Sequence, residues 1–333
     1  MANGLIANVT QVTILSIFPE DERGARMGWF GLATGVAPVV APALGGFVSD
    51  AFGWRFILWG IAVWMLIALV VSCVVIRFSL DTSEKRFDMT SFVLSVCAFG
   101  GVSLGVGQIS IAGITAPLTL TSLLIGTVAA ICFARRQLHL EEPFLDVRIL
   151  QNGRFHASVV GSCVLYAVMM GSAAVLPLYM IGCLNTSASL AGFVVLPAAA
   201  CMAAINPIAG KIYDKYGIRA LVIVSGALLV ASNVGMCIPA LNESLAFLFA
   251  STILRYLSIG LLQMPLMTWG NSALQRVHLV QGTALITSFR NAFGAIGVAV
   301  FVGLFDSYGV GIAYAGMAFA SCLLFTLRLR SSQ

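Results

Sequence analysis

The chain has 333 residues, 59% of them hydrophobic and only 9% charged, with a formal net charge of +5 and a mean hydropathy of +0.99. A soluble domain carries about 25% charged residues, so this composition excludes a soluble fold and reads as a polytopic membrane protein. Long apolar runs, as at 57–75 and 220–230, exclude a transmembrane barrel, whose strands alternate over roughly 10 residues; the expected fold class is all-α.

A spanning helix needs about 20 apolar residues. In chain order, about eleven stretches meet that need: 1–18, 23–50, 54–77, 88–110, 115–134, 156–181, 188–212, 218–239, 244–269, 280–305 and 308–328. The first is short and carries Asn3, Asn8, Thr10 and Gln11; its start, MANGLIANVT, lacks the basic segment of a signal peptide. The second contains GLATGVAPVVAPALGG at 31–46. Gly and Pro are unfavourable inside soluble helices. In membrane helices small residues let backbones approach and neighbours re-satisfy freed carbonyls, so this stretch reads as a packing seam. Two longer loops, FSLDTSEKRF at 78–87 and RRQLHLEEPFLDVRILQNGRF at 135–155, divide the spans into three, two and six. The eight cysteines are scattered without a C-x-x-C, which gives a metal or disulfide role no support.

The charges test this map. If the loop at 19–26 is cytoplasmic, the cytoplasmic loops hold 15 of the 18 Lys and Arg residues. The opposite side keeps Arg55, while Arg255 and Arg290 lie inside helices. This is the positive-inside asymmetry; it predicts a cytoplasmic C-terminus and, if 1–18 spans, an outward N-terminus. It also accounts for the net charge without nucleic-acid binding.

Residues 210–219, GKIYDKYGIR, fall at the cytoplasmic end of the seventh span. Gly210 and Gly217 permit close approach and a tight turn. Asp214, Lys215 and Arg219 place both signs of charge at a membrane edge, where they can pair with a neighbouring helix end and release when helices move. A basic loop that only fixes topology has the same composition. The segment also resembles the loop signature of the major facilitator superfamily, G-x-x-x-D-(R/K)-x-G-x-(R/K), at Gly210, Asp214, Lys215, Gly217 and Arg219. Residues 31–46 resemble that superfamily's antiporter motif G-P-x-x-G-G at Pro42, Gly45 and Gly46, with Ala41 in place of the first Gly. Pro38, Trp54-Arg55, the segment 142–148 and Ser288-Phe-Arg-Asn-Ala-Phe-Gly294 resemble the 14-helix drug:proton antiporter branch.

The resemblance implies helices four to fourteen of that branch. Residues 1–77 would be a remnant of the N-terminal six-helix bundle and 78–134 two central extra helices. Residues 135–155 would form a cytoplasmic linker and 156–333 the C-terminal bundle. Helices one to three, where the branch keeps its coupling acid, would be absent. A charge census agrees: every Asp and Glu falls in a loop or at a helix end, whereas proton-coupled transporters generally embed a carboxylate. Arg255 and Arg290 each lie some ten residues into a span, near mid-depth. An unpaired Arg there costs at least about 2.5–3.5 kcal/mol on insertion scales. They are candidates for cavity electrostatics, against snorkelling or bonding to backbone carbonyls. Gln11, Gln263 and Asn271 are candidate substrate-lining residues, although polar residues also glue helices.

The expected function is proton-coupled multidrug or small-molecule efflux by alternating access, in a bacterial inner membrane. Its partners would be the bilayer and an amphipathic small molecule; no cofactor is expected beyond a proton gradient. The chain alone is expected not to sustain that export. A non-transporting partner of a separate piece supplying helices one to three is the reading from another class, and an uptake permease of the same superfamily a third. No H-E-x-x-H, paired intramembrane aspartates or G-x-S-x-G elbow marks an enzyme.

Overall fold

The computed structural model describes residues 9–11, 13–15, 17–19, 22–34, 48, 52–75, 88–113, 115–140, 145–238, 244–275 and 278–326. Helical residues among 9–17 form α1, and 23–34 form α2. There follow α3 (Trp54–Val75), α4 (Met89–Ala112), α5 (Pro117–His139), α6 (Gly153–Gly182), α7 (Ala188–Tyr216), α8 (Ile218–Gly235), α9 (Leu245–Asn271), α10 (Leu279–Tyr308) and α11 (Val310–Cys322). Among the described residues there is no strand, and seven helices, α4 to α10, are long and apolar enough to cross a membrane. The helices follow the predicted spans one for one. α5 and α7 run past the predicted ends, to His139 and Tyr216. Hydropathy falls where the apolar slab ends, but Arg136, His139 and Lys215 ride on last turns, where cations suit the negative helix end.

Helices α6 to α11 share one core, in which Val168, Val175, Met180, Leu229, Leu248, Leu262, Tyr314 and Met317 are fully buried. Gly217 (φ 73°) and Gly309 (φ 84°) hold the left-handed backbone that turns α7 into α8 and α10 into α11. α4 and α5 form a hairpin whose helices nearly touch: a Cβ on Gly101 would lie 2.7 Å from the Gly126 Cα. This pair leans on α10, with Phe99 edge-on to Phe289 at 6.4 Å. The two enclose an apolar cavity of about 240 Å³ lined by Phe99, Phe133, Leu145, Phe289 and Phe293 among others. α3 buries none of its described side chains, as suits a helix whose neighbours are lipid or further helices.

The polar end of the α4–α5 hairpin is pinned by a network. Asp88 caps α4 through the Ser91 N–H and pairs with Arg136 of α5 at 3.1 Å. Gln137 donates to the Ser91 hydroxyl at 2.7 Å and accepts from the Leu145 N–H at 2.9 Å. Hydrogen bonds from Ser91 and Arg136 hold the Asp88 carboxyl down at about 2, against an ordinary 3.8. A depressed carboxylate stabilises the fold above its ordinary value, and that contribution disappears as pH falls through the depressed one. The loss therefore falls between about pH 4 and pH 2. Thermal unfolding in detergent is expected to separate the wild type from Asp88→Asn at pH 5 and to bring them together near pH 2. A gap that survives acidification rules out this ion pair as its source.

Candidate functional site

Three glycines of α2, Gly24, Gly28 and Gly31, sit at i, i+4 and i+7 and so share one face. That face lies against α7 and α9 at backbone distance. A Cβ on Gly28 would fall 2.7 Å from the Pro207 Cα, and one on Gly31 would fall 2.8 Å from Met264 Cγ and 3.0 Å from Asn206 Cγ. A Cβ on Gly24 would collide with the Asp214 carboxylate and the Tyr213 ring. From the other side, a Cβ on Gly210 would meet the Gly24 carbonyl oxygen and, at 3.0 Å, the Ala25 Cα. Asn206, Gly210 and Asp214, one turn apart on α7, thus form the complementary rail. Small residues at such spacing let membrane helices approach until dispersion and polar contacts bind them.

The rail ends in a charge contact. The opening N–H groups of a helix have no intrahelical acceptor, and a capping side chain normally takes those of the second and third residues. In α2 the neighbouring acid Glu22 is turned to Arg26, 3.1 Å away. The cap comes instead from α7: Asp214 Oδ1 accepts from the Gly24 N–H at 3.1 Å and Oδ2 from the Ala25 N–H at 2.8 Å. A carboxylate at this positive helix end gains from the macrodipole as well. The contact bridges some 190 residues of sequence and joins the first helices to the last six.

The sequence candidates separate here. Gly210 and Asp214 meet α2, and Gly217 makes the turn that follows them. Lys215 and Arg219 are exposed, with Lys215 over the ring of its neighbour Tyr216 at 5.2 Å. Pro38, Pro42, Gly45 and Gly46 lie outside the described residues. Gly24, Gly28, Asn206 and Pro207 were not singled out from the sequence. The G-x-x-x-G spacing of Gly24 and Gly28 was the available signal.

Arg290, half-buried on α10, stacks over Tyr166 of α6 at 4.8 Å, and its Nε is buried without a hydrogen-bond partner. Arg255 is fully buried inside the C-terminal bundle. Its Nε donates to Asn233 Oδ1 of α8 at 3.0 Å and its Nη1 to the Tyr314 hydroxyl of α11 at 3.4 Å. The partners are neutral side chains, and Nη2 has none. Arg255 therefore ties α8, α9 and α11 together, on the face of α9 opposite Met264. Asn271 is buried at the end of α9, donates to the Met267 carbonyl at 3.0 Å and lies against Gly282 of α10, a position between helices. Gln11 is buried in α1 with Oε1 unpartnered, and Gln263 is half-buried on α9. Among the described residues no group of three His, Cys, Asp or Glu side chains suits a metal ion.

A bundle of apolar helices whose first and last parts meet on a glycine rail is a polytopic α-helical membrane protein. The family model described as Major Facilitator Superfamily matches residues 1–302, and the chain belongs to that superfamily of transporters. It is 30% identical over 313 residues to the uncharacterized MFS-type transporter YcnB of Bacillus subtilis, covering 94% of this chain and 66% of that protein. It is 31% identical over 312 residues to the lincomycin resistance protein LmrB of the same organism, covering 91% and 64%. It is 26% identical over 314 residues to the riboflavin transporter RibZ of Clostridioides difficile, covering 90% and 65%. The chain thus spans less than two thirds of the length of these relatives.

Proposed function

We propose that the chain serves export of an amphipathic small molecule from the cytoplasm, driven by a proton gradient, with the α2–α7 seam as the gate. The observation that carries this is Asp214 capping α2 across the glycine rail. Alternating access needs two groups of helices that part and re-engage at one end. A charge-to-helix-end contact suits that purpose: it is strong when aligned, and each side is solvated once separated. On the proposed topology this end is cytoplasmic. Arg290, with its unsatisfied Nε, would meet a charge in the transport cavity. The relatives named for lincomycin resistance and riboflavin transport suggest those compounds as first substrates to try, with ethidium as a generic amphipathic probe.

The test is pH-gradient-driven uptake of these compounds into inverted proteoliposomes. It is run on this chain alone and on the chain joined to the three helices that the resemblance implies. Saturable transport by the joined protein supports the reading; none by either form overturns it. Transport by the chain alone supports export and refutes the expectation that the chain needs a further piece. In the transporting form Arg290→Ala is expected to lower kcat/KM at least about tenfold, corresponding to one lost charge-assisted contact. Unchanged kcat/KM removes Arg290 from the cavity.

A further inference from the structure

Behind Asp214 lies a second set of contacts that the gate reading does not use. Arg154, on the first turn of α6, donates from Nη2 to the Ser272 hydroxyl at 2.9 Å, just past the end of α9. Its guanidinium lies over the Trp269 ring, 5.2 Å from the centroid. Ser272 is itself fixed, donating to the Trp269 carbonyl at 3.0 Å. The Tyr213 ring packs against the cluster that contains Trp269, and its hydroxyl is within interaction range of Ser272 and Arg154. Tyr213 directly precedes Asp214, and its ring packs on Gly24, 2.7 Å from where a Cβ would stand. The backbone of Arg154 is held as well. Asn152 accepts from the Arg154 and Phe155 N–H groups at 3.0 and 3.3 Å, and its amide donates to the Ala273 carbonyl at 3.2 Å.

We propose that Arg154 is a positioning residue for the gate: through Ser272 and Trp269 it fixes Tyr213, and Tyr213 fixes the place from which Asp214 reaches α2. The inference rests on the α2–α7 contact being a gate. Its physical basis is the short side chain of aspartate. Two oxygens must reach two adjacent N–H groups at once, and only two torsions connect them to the backbone. The aim of the carboxylate is thus set by the backbone at 213–214. An Arg suits the task because its planar group stacks on a ring face while donating from its edge, which a Lys ammonium cannot do equally well. The same contacts join the start of α6, where the segment 135–155 enters, to the ends of α7 and α9.

The experiment is amide hydrogen exchange, read by mass spectrometry on the whole chain in lipid nanodiscs at constant pH. The Gly24 and Ala25 amides have no acceptor within their own helix, so their protection reports the Asp214 contact. Asp214→Asn is expected to speed their exchange about five- to tenfold, as loss of a charged cap does. Arg154→Gln and Ser272→Ala are each expected to speed it by several-fold with Asp214 intact. Arg154→Lys is expected to recover part of the protection, and Arg154→Gln to add little once Asp214 is already Asn. Faster exchange in Asp214→Asn alone, with Arg154→Gln and Ser272→Ala like the wild type, overturns the positioning role and leaves the gate contact standing. No change even in Asp214→Asn removes the gate contact itself. An Arg154→Gln protein whose α6 amides at 160–180 exchange faster by the same factor has merely loosened, which also overturns the proposal. Should Arg154→Gln not fold, Ser272→Ala and Tyr213→Phe report the same path without touching the α6 terminus.

Discussion

Gly210→Val is expected to separate α2 from α7 and to abolish transport by whichever form of the protein transports. The new Cβ would fall on the Gly24 carbonyl oxygen and within 3.0 Å of the Ala25 Cα. Both are backbone atoms of a helix, so no side chain can swing aside. Overpacking of this kind costs about 1–3 kcal/mol even where neighbours can adjust. The relief available is for the helices to move apart. Asp214 then loses reach of the Gly24 and Ala25 N–H groups, which are 3.1 and 2.8 Å away in the closed seam, and with them a cap of about 1–2 kcal/mol. The two are alternatives: the closed seam either keeps the cap and bears the clash, or relieves the clash and gives up the cap. Either way closure is weakened by about 1–3 kcal/mol, a shift of roughly 5- to 150-fold toward the parted state. Gly210→Ala carries the same first contact without the branched carbons and is expected to show a partial effect. A spin-label distance between the start of α2 and the end of α7 checks this directly. An unchanged distance distribution in Gly210→Val, with the protein folded, contradicts the close packing on which the gate depends.

How much of this was legible in the sequence depends on the kind of interaction. Helices set by runs of apolar residues were, because a membrane span is specified by composition alone, and α3 to α11 begin within a few residues of the expected positions. Asp214 and Gly210 stand out as candidates through the resemblance to the loop signature, their spacing alone leaving a basic loop that fixes topology equally open. Their partner does not, since nothing local announces that the α2 N-terminus takes a cap from α7. That is a long-range fact: Glu22 has the right chemistry for a nearby cap and is spent on Arg26. Arg255 shows the same limit from the other side. Its depth in the span marks it as costly unless paired, and its charge alone points to an acid as the partner. The cost is met by an amide and a phenol on α8 and α11, residue types too common in membrane helices to signal a role. The glycine rail is half legible: the Pro-containing stretch at 31–46 carries the resemblance, while Gly24 and Gly28 stand just ahead of it.

Asn233→Leu is expected to destabilise the C-terminal bundle more than removal of the arginine that Asn233 serves. In the folded chain Asn233 Oδ1 accepts from Arg255 Nε at 3.0 Å, and its amide donates to the Ser321 hydroxyl at 3.2 Å. All three residues are fully buried. With Leu at 233 the guanidinium keeps the long 3.4 Å contact to Tyr314 and the face of that ring, 4.6 Å from the centroid. Nη2 already has no acceptor, so two of its nitrogens would then face apolar surroundings. Leaving a buried charged donor without its acceptor costs more than leaving a neutral one, which costs about 1–3 kcal/mol. Arg255→Met removes the charge while keeping most of the volume. What it leaves behind is the Asn233 carbonyl and the Tyr314 hydroxyl short of a donor, a neutral penalty of about 1–3 kcal/mol. The double variant Asn233→Leu/Arg255→Met replaces both partners by apolar groups, which is often close to neutral, and is expected to be more stable than Asn233→Leu alone. Chemical unfolding in detergent micelles, followed by far-UV circular dichroism, orders the three proteins. If Arg255→Met proves less stable than Asn233→Leu and the double variant is lower still, the arginine contributes by its charge to something other than Asn233, and Arg255 with its neutral partners on α8 and α11 is not what holds this part of the bundle.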